Sequence, residues 1–213
     1  MDGLEALATA LTAAGLADGV GRDYPIGSLT TYRVGGTASV FVRPVDADEL
    51  EAVVGAATAC EVEILLVGLG SNLLVSDGGF TGLAVQLGGG FGSIAVSGQM
   101  VTAGGATSLP VLARRTVADG LTGFEWAVGV PGSIGGAVRM NAGGHGSDMA
   151  AVLEEATTID LRTGACKVRP VESLSLGYRT SGVGSAELVT SVVLRLEDSV
   201  SGAGEETLAG LVR

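Results

Sequence analysis

The residues best suited to chemistry lie in a short stretch, residues 67–75, VGLGSNLLV. An apolar run, Ile64, Leu65, Leu66 and Val67, leads into it and reads as a buried strand. The strand opens into Gly68, Leu69, Gly70, Ser71 and Asn72, followed by Leu73. Two glycines permit left-handed backbone angles and a close approach of main chain to a ligand. A turn of this kind can aim successive N–H groups at one anion. Ser71 and Asn72 add side-chain donors at the same place. The loop therefore reads as a cradle for a pyrophosphate. The competing reading is a strand-to-strand turn whose glycines serve geometry alone. The loop does not open a helix: Leu73, Leu74 and Val75 precede Ser76-Asp77-Gly78-Gly79, which turns the chain. A Rossmann dinucleotide site is thereby disfavoured.

A second stretch of the same character is residues 123–144, GFEWAVGVPGSIGGAVRMNAGG. It is apolar, yet it holds Gly129, Gly132, Gly135 and Gly136 within eight residues. Such glycines would break a helix and bulge a strand, which leaves backbone pressed against something flat or charged. Ser133 and Asn141 supply polar side chains in apolar surroundings. Two such loops, one in each half of the chain, could clamp a flavin dinucleotide.

Composition narrows the field. Among 213 residues 36 are glycine, more than twice the usual ~7%, scattered as for tight turns between short strands. Apolar residues make up 46% and aromatic residues only 4%, so Ala, Val and Leu must fill the core. A net charge of −11 without a basic run argues against nucleic acid. One histidine, His145, rules out a multi-histidine metal site, and no metal is expected. Cys60 and Cys166 lack metal-ligand spacing and read as small core residues. Neither a secretory signal nor a membrane span is expected.

These loops need elements to hold them. The spacing predicts a helix over 4–16, capped by Asp2 with Glu5 three residues on. Residues 40–43 read as a strand. Asp46 with Glu49 caps a helix that carries Leu50, Val53, Val54 and Ala57 on one face. Strands follow at 62–67 and 82–87. Four glycines within 88–92 mark a boundary. A hairpin at 93–103, a helix from Ser108 to a C-terminal Gly120, a hairpin at 155–169, a strand at 188–196 and a helix from Glu205 complete the prediction.

TTYRVGG (30–36), VGLGSNLLVSDGGF (67–80), GFEWAVGVPGSIGGAVRMNAGGHG (123–146) and LGYRTS (176–181) resemble the UDP-N-acetylenolpyruvoylglucosamine reductases, the MurB family. The blocks run in the family's order and cover nearly all of residues 25–198. The resemblance implies an α+β chain with the two-subdomain FAD-binding fold of the vanillyl-alcohol oxidase (PCMH) type. Residues 1–88 would be the first subdomain with its leading helix and 89–199 the second, with 200–213 the start of a truncated substrate-binding domain. It implies non-covalent FAD, NADPH as reductant, UDP-N-acetylenolpyruvoylglucosamine as substrate and a cytoplasmic place in peptidoglycan precursor synthesis. A stand-alone FAD-binding module without reductase activity is the alternative. An oxidase of the wider vanillyl-alcohol type is a third reading.

Carried over residue by residue, Gly68, Leu69, Gly70, Ser71, Asn72 and Leu73 would wrap the FAD pyrophosphate. Val130, Pro131, Gly132, Ser133, Gly135 and Gly136 would meet the flavin and its ribityl chain, as would Asn141, Ala142 and Gly143. Arg33 would lie near the cofactor; a solvated strand-end charge is its competing reading. Tyr178 and Arg179 match the family's tyrosine-arginine pair at the substrate, with Arg179 as the catalytic cation facing the enolpyruvyl carboxylate. The family's later domain carries a proton-donating serine, and no matching motif occurs in these residues. Glu125 and His145 read as structural.

Overall fold

The computed structural model describes residues 3–16, 18–199 and 203–211. The expected cap Asp2 lies outside them. The chain divides into two units. One comprises Met1–Phe91, Ile159–Cys166 and Gly184–Leu188; the other comprises Gly92–Thr158, Lys167–Val183 and Val189–Arg213. The expected division was continuous, with its boundary at residue 88. The chain instead returns to the first unit twice, because Leu161, Ala186 and Leu188 complete that unit's core.

The first unit holds α1 (Gly3–Ala14), β1 (Val20–Tyr24), β2 (Ala38–Val42), α2 (Ala47–Cys60), β3 (Ile64–Leu66) and β4 (Phe80–Val85). Its sheet runs β1-β2-β4-β3. β1 is antiparallel to β2, whereas β2 and β3 both run parallel to β4. Side-chain alternation sorts the sheet into two faces. Val40, Val42, Leu83 and Val85 join Leu7, Leu11, Leu50 and Val53 of the helices. Phe41 and Ala84 belong to a separate cluster with Ile26, Val67 and Val75, all from loops.

α2 begins where the capping pattern predicts. Asp46 accepts from the Glu49 N–H at 2.9 Å, and Glu49 reaches back to accept from the Val45 N–H at 2.9 Å. Arg22 of β1 donates two hydrogen bonds to Glu5 of α1, which hold that carboxyl below its ordinary range. β1 itself has no signal in the sequence; VGRDY lacks a run of β-branched residues and forms by pairing with β2.

The second unit holds β5 (Ile94–Ser97), β6 (Met100–Gly104), α3 (Leu109–Ala118), β7 (Leu121–Thr122), α4 (Ile134–Met140), β8 (Gly143–Gly144) and β9 (Ser147–Asp148). β10 (Leu153–Asp160), β11 (Cys166–Pro170), β12 (Glu187–Arg195), β13 (Glu197–Asp198) and α5 (Ala203–Leu211) follow, and three of these strands reach into the boundaries given above. The main sheet runs β11-β10-β12-β6-β5, with β6 antiparallel to both β5 and β12. Val101, Ala103, Val192 and Leu194 of the sheet meet Leu112 of α3, Ile134 of α4 and Phe124. α5 packs Leu208 and Leu211 on the same core and sets Gly204 against Val117. Residues 203–211 are thus part of this unit, where the sequence reading had them open a further domain.

α4 departs from the sequence reading, which allowed no helix among these glycines. Ile134, Ala137 and Val138 bury one face of it, and Ser133 caps it by accepting from the Gly136 N–H at 3.4 Å. Burial and a cap outweigh the ~1 kcal/mol cost of each helical glycine. Cys60 is half-buried and Cys166 exposed, so neither is the core residue expected.

Replacing the α2 cap, Asp46→Ala, should lower the unfolding free energy by about 1 kcal/mol. Urea denaturation of the purified chain measures it, and an unchanged midpoint would mean the Asp46 bond contributes nothing.

Candidate functional site

In the first unit the loop after β3 is fixed from one side. The Gly68 carbonyl accepts from the Gln86 side-chain amide, whose oxygen accepts two bonds from Arg43 at 3.0 and 2.7 Å. Arg43 lies over the Phe41 ring, 5.4 Å from its centroid, and Phe41 stacks on Tyr24. The Gly70 carbonyl accepts from the Thr31 N–H at 3.3 Å. Among the described residues no peptide bond is cis. In a planar trans peptide the N–H points opposite to the C=O. The N–H groups of Leu69 and Ser71 are therefore directed away from the protein groups that hold Gly68 and Gly70.

Gly70 is buried with φ +73°, and a Cβ there would collide with the Leu29 carbonyl oxygen. The close approach that the sequence reading gave to a ligand is made by the chain's own backbone. Gly35, at φ +107°, crosses Val75 in the same way. The Gly36 N–H donates to Ser76 and the Phe80 N–H to Thr37, so residues 25–37 and 68–80 are knit main chain to main chain.

Ser71 and Leu73 are half-buried and Asn72 exposed. Arg33 takes a left-handed conformation, φ +53°, with its N–H donating to the Thr30 hydroxyl, and its side chain is exposed. Among the described residues, the exposed large apolar side chains of this unit are Tyr32 (75%), Val34 (51%), Leu69 (48%) and Leu74 (72%). All four sit on these two loops.

In the second unit the turn before α4 is tied to the chain ahead of α3. Gly132 accepts from the Leu109 N–H, Ile134 donates to Thr107 and Gly135 to Gly105. Val130 and Gly132 are half-buried, Pro131 is exposed, and Gly135 and Gly136 lie inside α4. Asn141 ends the helix in the left-handed conformation, φ +42°, and the Ala142 N–H closes back on the Ala137 carbonyl.

Asn141 is 8% exposed, and its side chain is fully engaged. Nδ2 donates to Asp148 at 3.0 Å and to the Gly177 carbonyl at 3.2 Å, while Oδ1 accepts from the Ala150 N–H at 2.9 Å. Gly143, in β8, faces Asp148 across β9. Gly177 and Thr180 exchange two backbone hydrogen bonds, which puts Tyr178 and Arg179 at the corner of a tight turn. Tyr178 is 92% exposed; Arg179 is exposed with φ +55°. Ser181 pins the turn by donating to the Arg139 carbonyl at 2.8 Å.

Asp148 and Gln86 were not foreseen. Asp148 caps the turn Met149–Ala151 by accepting from the Ala151 N–H, a local pattern visible in the sequence. Gln86 carries no such signal. Glu125 is buried and accepts from Thr122 and Gly123, a structural role, and His145 sits exposed in the turn after β8. Among the described residues no cluster of His, Cys, Asp or Glu could hold a metal, and no helix is long and apolar enough to cross a membrane.

The fold and these loops define a flavin-binding protein. An FAD binding domain family matches residues 38–168, and the chain has the two-subdomain FAD-binding fold of the vanillyl-alcohol oxidase type. A glucose dehydrogenase, Phl p 4.0202, shares that fold at TM-score 0.69 and 12% identity, over 90% of this chain and 44% of its own. The UDP-N-acetylenolpyruvylglucosamine reductase of Thermus caldophilus superposes at TM-score 0.79 with 32% identity, over 91% of this chain and 68% of its own. The UDP-N-acetylenolpyruvoylglucosamine reductase of Paramagnetospirillum magneticum is 43% identical over 174 residues, 81% of this chain and 56% of its own length. The chain belongs to the UDP-N-acetylenolpyruvoylglucosamine reductase family. It spans about half the length of the curated relatives it matches.

The residues present suit FAD. With the Gly68 carbonyl held by Gln86, the Leu69 N–H on the opposite edge of that peptide is a donor for an anion such as a pyrophosphate, and the exposed apolar side chains beside it suit a flat aromatic ligand. Asn141 fits a flavin contact less well, because its side-chain groups are spent inside the protein.

Gly70→Ala should lower the stability of the cofactor-free chain by about 2 kcal/mol or more, with FAD uptake falling alongside. A glycine needed only for a close approach to the ligand would instead lower FAD affinity far more than stability. Thermal and denaturant unfolding of the apo variant decide between them: a fully stable variant that has lost FAD would return Gly70 to the ligand.

Proposed function

We propose that this chain is the FAD-holding part of a reductase that converts UDP-N-acetylenolpyruvoylglucosamine to UDP-N-acetylmuramate, a cytoplasmic step of peptidoglycan precursor synthesis, with NADPH as reductant. The observation that carries the reading is the polarity of residues 68–71, whose Gly68 and Gly70 carbonyls are consumed by the protein. Leu69 then presents its N–H to the pyrophosphate, with Gly68, Ser71, Asn72 and Leu73 completing the wrap. Arg33 makes no ion pair with any described residue in a chain of net charge −11, which leaves it available to a phosphate. Val130, Pro131, Gly132, Ser133, Gly135, Gly136, Ala142 and Gly143 are the residues that the family resemblance assigns to the flavin. Bound FAD supplies hydride transfer, first from the nicotinamide and then to the enolpyruvyl double bond.

Arg179 has the chemistry for the substrate side. Hydride delivery to the β-carbon of an enol ether acid leaves negative charge spread over the carboxylate. A planar guanidinium meets that charge with two parallel hydrogen bonds, which a lysine cannot do. The tight turn from Gly177 to Thr180 presents Arg179 and Tyr178 together at an exposed corner. Tyr178 supplies an aromatic face and a hydroxyl to the sugar nucleotide.

The second reading is a flavin-binding module without reductase activity. Both readings share one expectation. Purified chain should be yellow, and acid denaturation should release FAD to the supernatant; colourless protein and supernatant would end both readings, and a yellow pellet would point to covalent attachment.

The FAD-loaded chain alone should show no substrate-dependent NADPH oxidation. Protonation of the α-carbon needs a positioned acid worth about 10²–10⁴-fold in rate, and no residue here matches the family's serine. Binding energy from the rest of the sugar nucleotide supports turnover as well as affinity. Brisk NADPH consumption that requires the enolpyruvyl sugar would show that residues 1–213 already contain a proton donor.

A further inference from the structure

We propose that Asn141 is the positioning residue of the Tyr178–Arg179 turn, acting with Asp148, and is not a ligand of the flavin. This rests on the reading of Arg179 as the cation that meets the substrate carboxylate.

Four observations converge on Asn141. Its side chain is buried, and both Nδ2 protons and the Oδ1 oxygen are used within the protein. One of those protons goes to the Gly177 carbonyl, the first residue of the reciprocal Gly177–Thr180 pair. The other goes to Asp148 Oδ2, while Asp148 Oδ1 accepts from the Ala151 N–H. Asn141 also terminates α4 in a left-handed conformation that asparagine tolerates better than most residues.

The turn needs such support. Arg179 sits at φ +55°, an uncommon conformation for a long side chain. Two backbone bonds across one exposed turn do not hold it alone, since exposed turns open readily. Asn141 fastens the near end through Gly177, and Ser181 fastens the far end through Arg139. Both anchors lie at the C-terminal end of α4, so the arginine corner is referred to a helix packed in the core through Ile134, Ala137 and Val138. The carboxamide is matched to its place: a carboxylate could accept from Ala150 but could donate to neither Gly177 nor Asp148.

The test uses Asn141→Gly, which keeps the left-handed backbone accessible while removing the side chain. Hydrogen–deuterium exchange of the cofactor-free chain should accelerate at least tenfold in residues 175–183 and stay unchanged in α3. His145→Gly, at an exposed left-handed position, should leave residues 175–183 as they were. The FAD dissociation constant of Asn141→Gly should stay within twofold of the parent. The dissociation constant for UDP-N-acetylenolpyruvoylglucosamine, read from the absorbance of bound flavin, should rise about tenfold in Asn141→Gly. It should rise no further in Asn141→Gly combined with Arg179→Lys than in Arg179→Lys alone.

Unchanged exchange in the turn, a tenfold weaker grip on FAD, or losses that add in the double variant would each overturn the proposal. If the parent chain takes up no FAD, the functional reading above falls; if it takes up FAD but shows no sugar binding, that reading stands and the affinity arm of the test is lost. Exchange in the turn then decides alone whether Asn141 holds it.

Discussion

The first unit depends on two stretches of main chain approaching closer than side chains allow. Residues 25–37 and 68–80 cross with Thr31 bonded to Gly70, Gly36 to Ser76 and Phe80 to Thr37. At such distances a Cβ has no room, as the collisions at Gly70 and Gly35 show. The crossing is supported from beneath by Ile26, Val67, Val75 and Ala84, which bury the loop bases on the sheet. Its consequence is chemical. Once the inner carbonyls are spent on partners, the peptide planes are locked, and the N–H groups on their other edge are fixed in direction. The loop needs no charged side chain to become positive on that edge.

The second unit solves a similar problem by other means. α4 must stop sharply and hold an exposed turn beside its end. A glycine at that end would supply the backbone angle and nothing else. Asn141 supplies the angle and three hydrogen bonds as well. The same residue therefore closes the helix, orients Asp148 and fixes Gly177. Burial makes these bonds matter, because an unmade bond at a buried amide costs about 1–3 kcal/mol.

Much of this was legible in the chain of residues, and what was not has a physical cause. α2 could be read because Asp46, Glu49 and the Leu50, Val53, Val54, Ala57 face are all local signals. The β5–β6 hairpin could be read for the same reason. α4 could not, since Gly135 and Gly136 speak against a helix and only burial of Ile134, Ala137 and Val138 overrules them. The two returns of the chain to the first unit hinge on Leu161, Ala186 and Leu188, whose partners are far away in sequence. Gly68 to Leu73 was recognisable as a special loop, and the four sequence blocks named the family that the comparisons bear out. Which atom each glycine yields to was hidden: Gly70 makes room for Leu29, some forty positions earlier.

One apparent conflict remains between a chain of net charge −11 and an anionic ligand. It dissolves on the scale over which charge acts. At physiological ionic strength the screening length is about 8 Å, so most of the acidic surface is not felt at a given loop. Many arginines are paired close by: Arg22 with Glu5, Arg115 with Asp119, Arg162 with Glu63 and Arg195 with Glu154. They are neutralised where they stand. Arg33 is different; it forms no ion pair with a described residue and follows Thr31, whose N–H holds Gly70. A pyrophosphate on residues 68–71 would therefore meet oriented amides and one unpaired guanidinium while the acidic remainder stays screened.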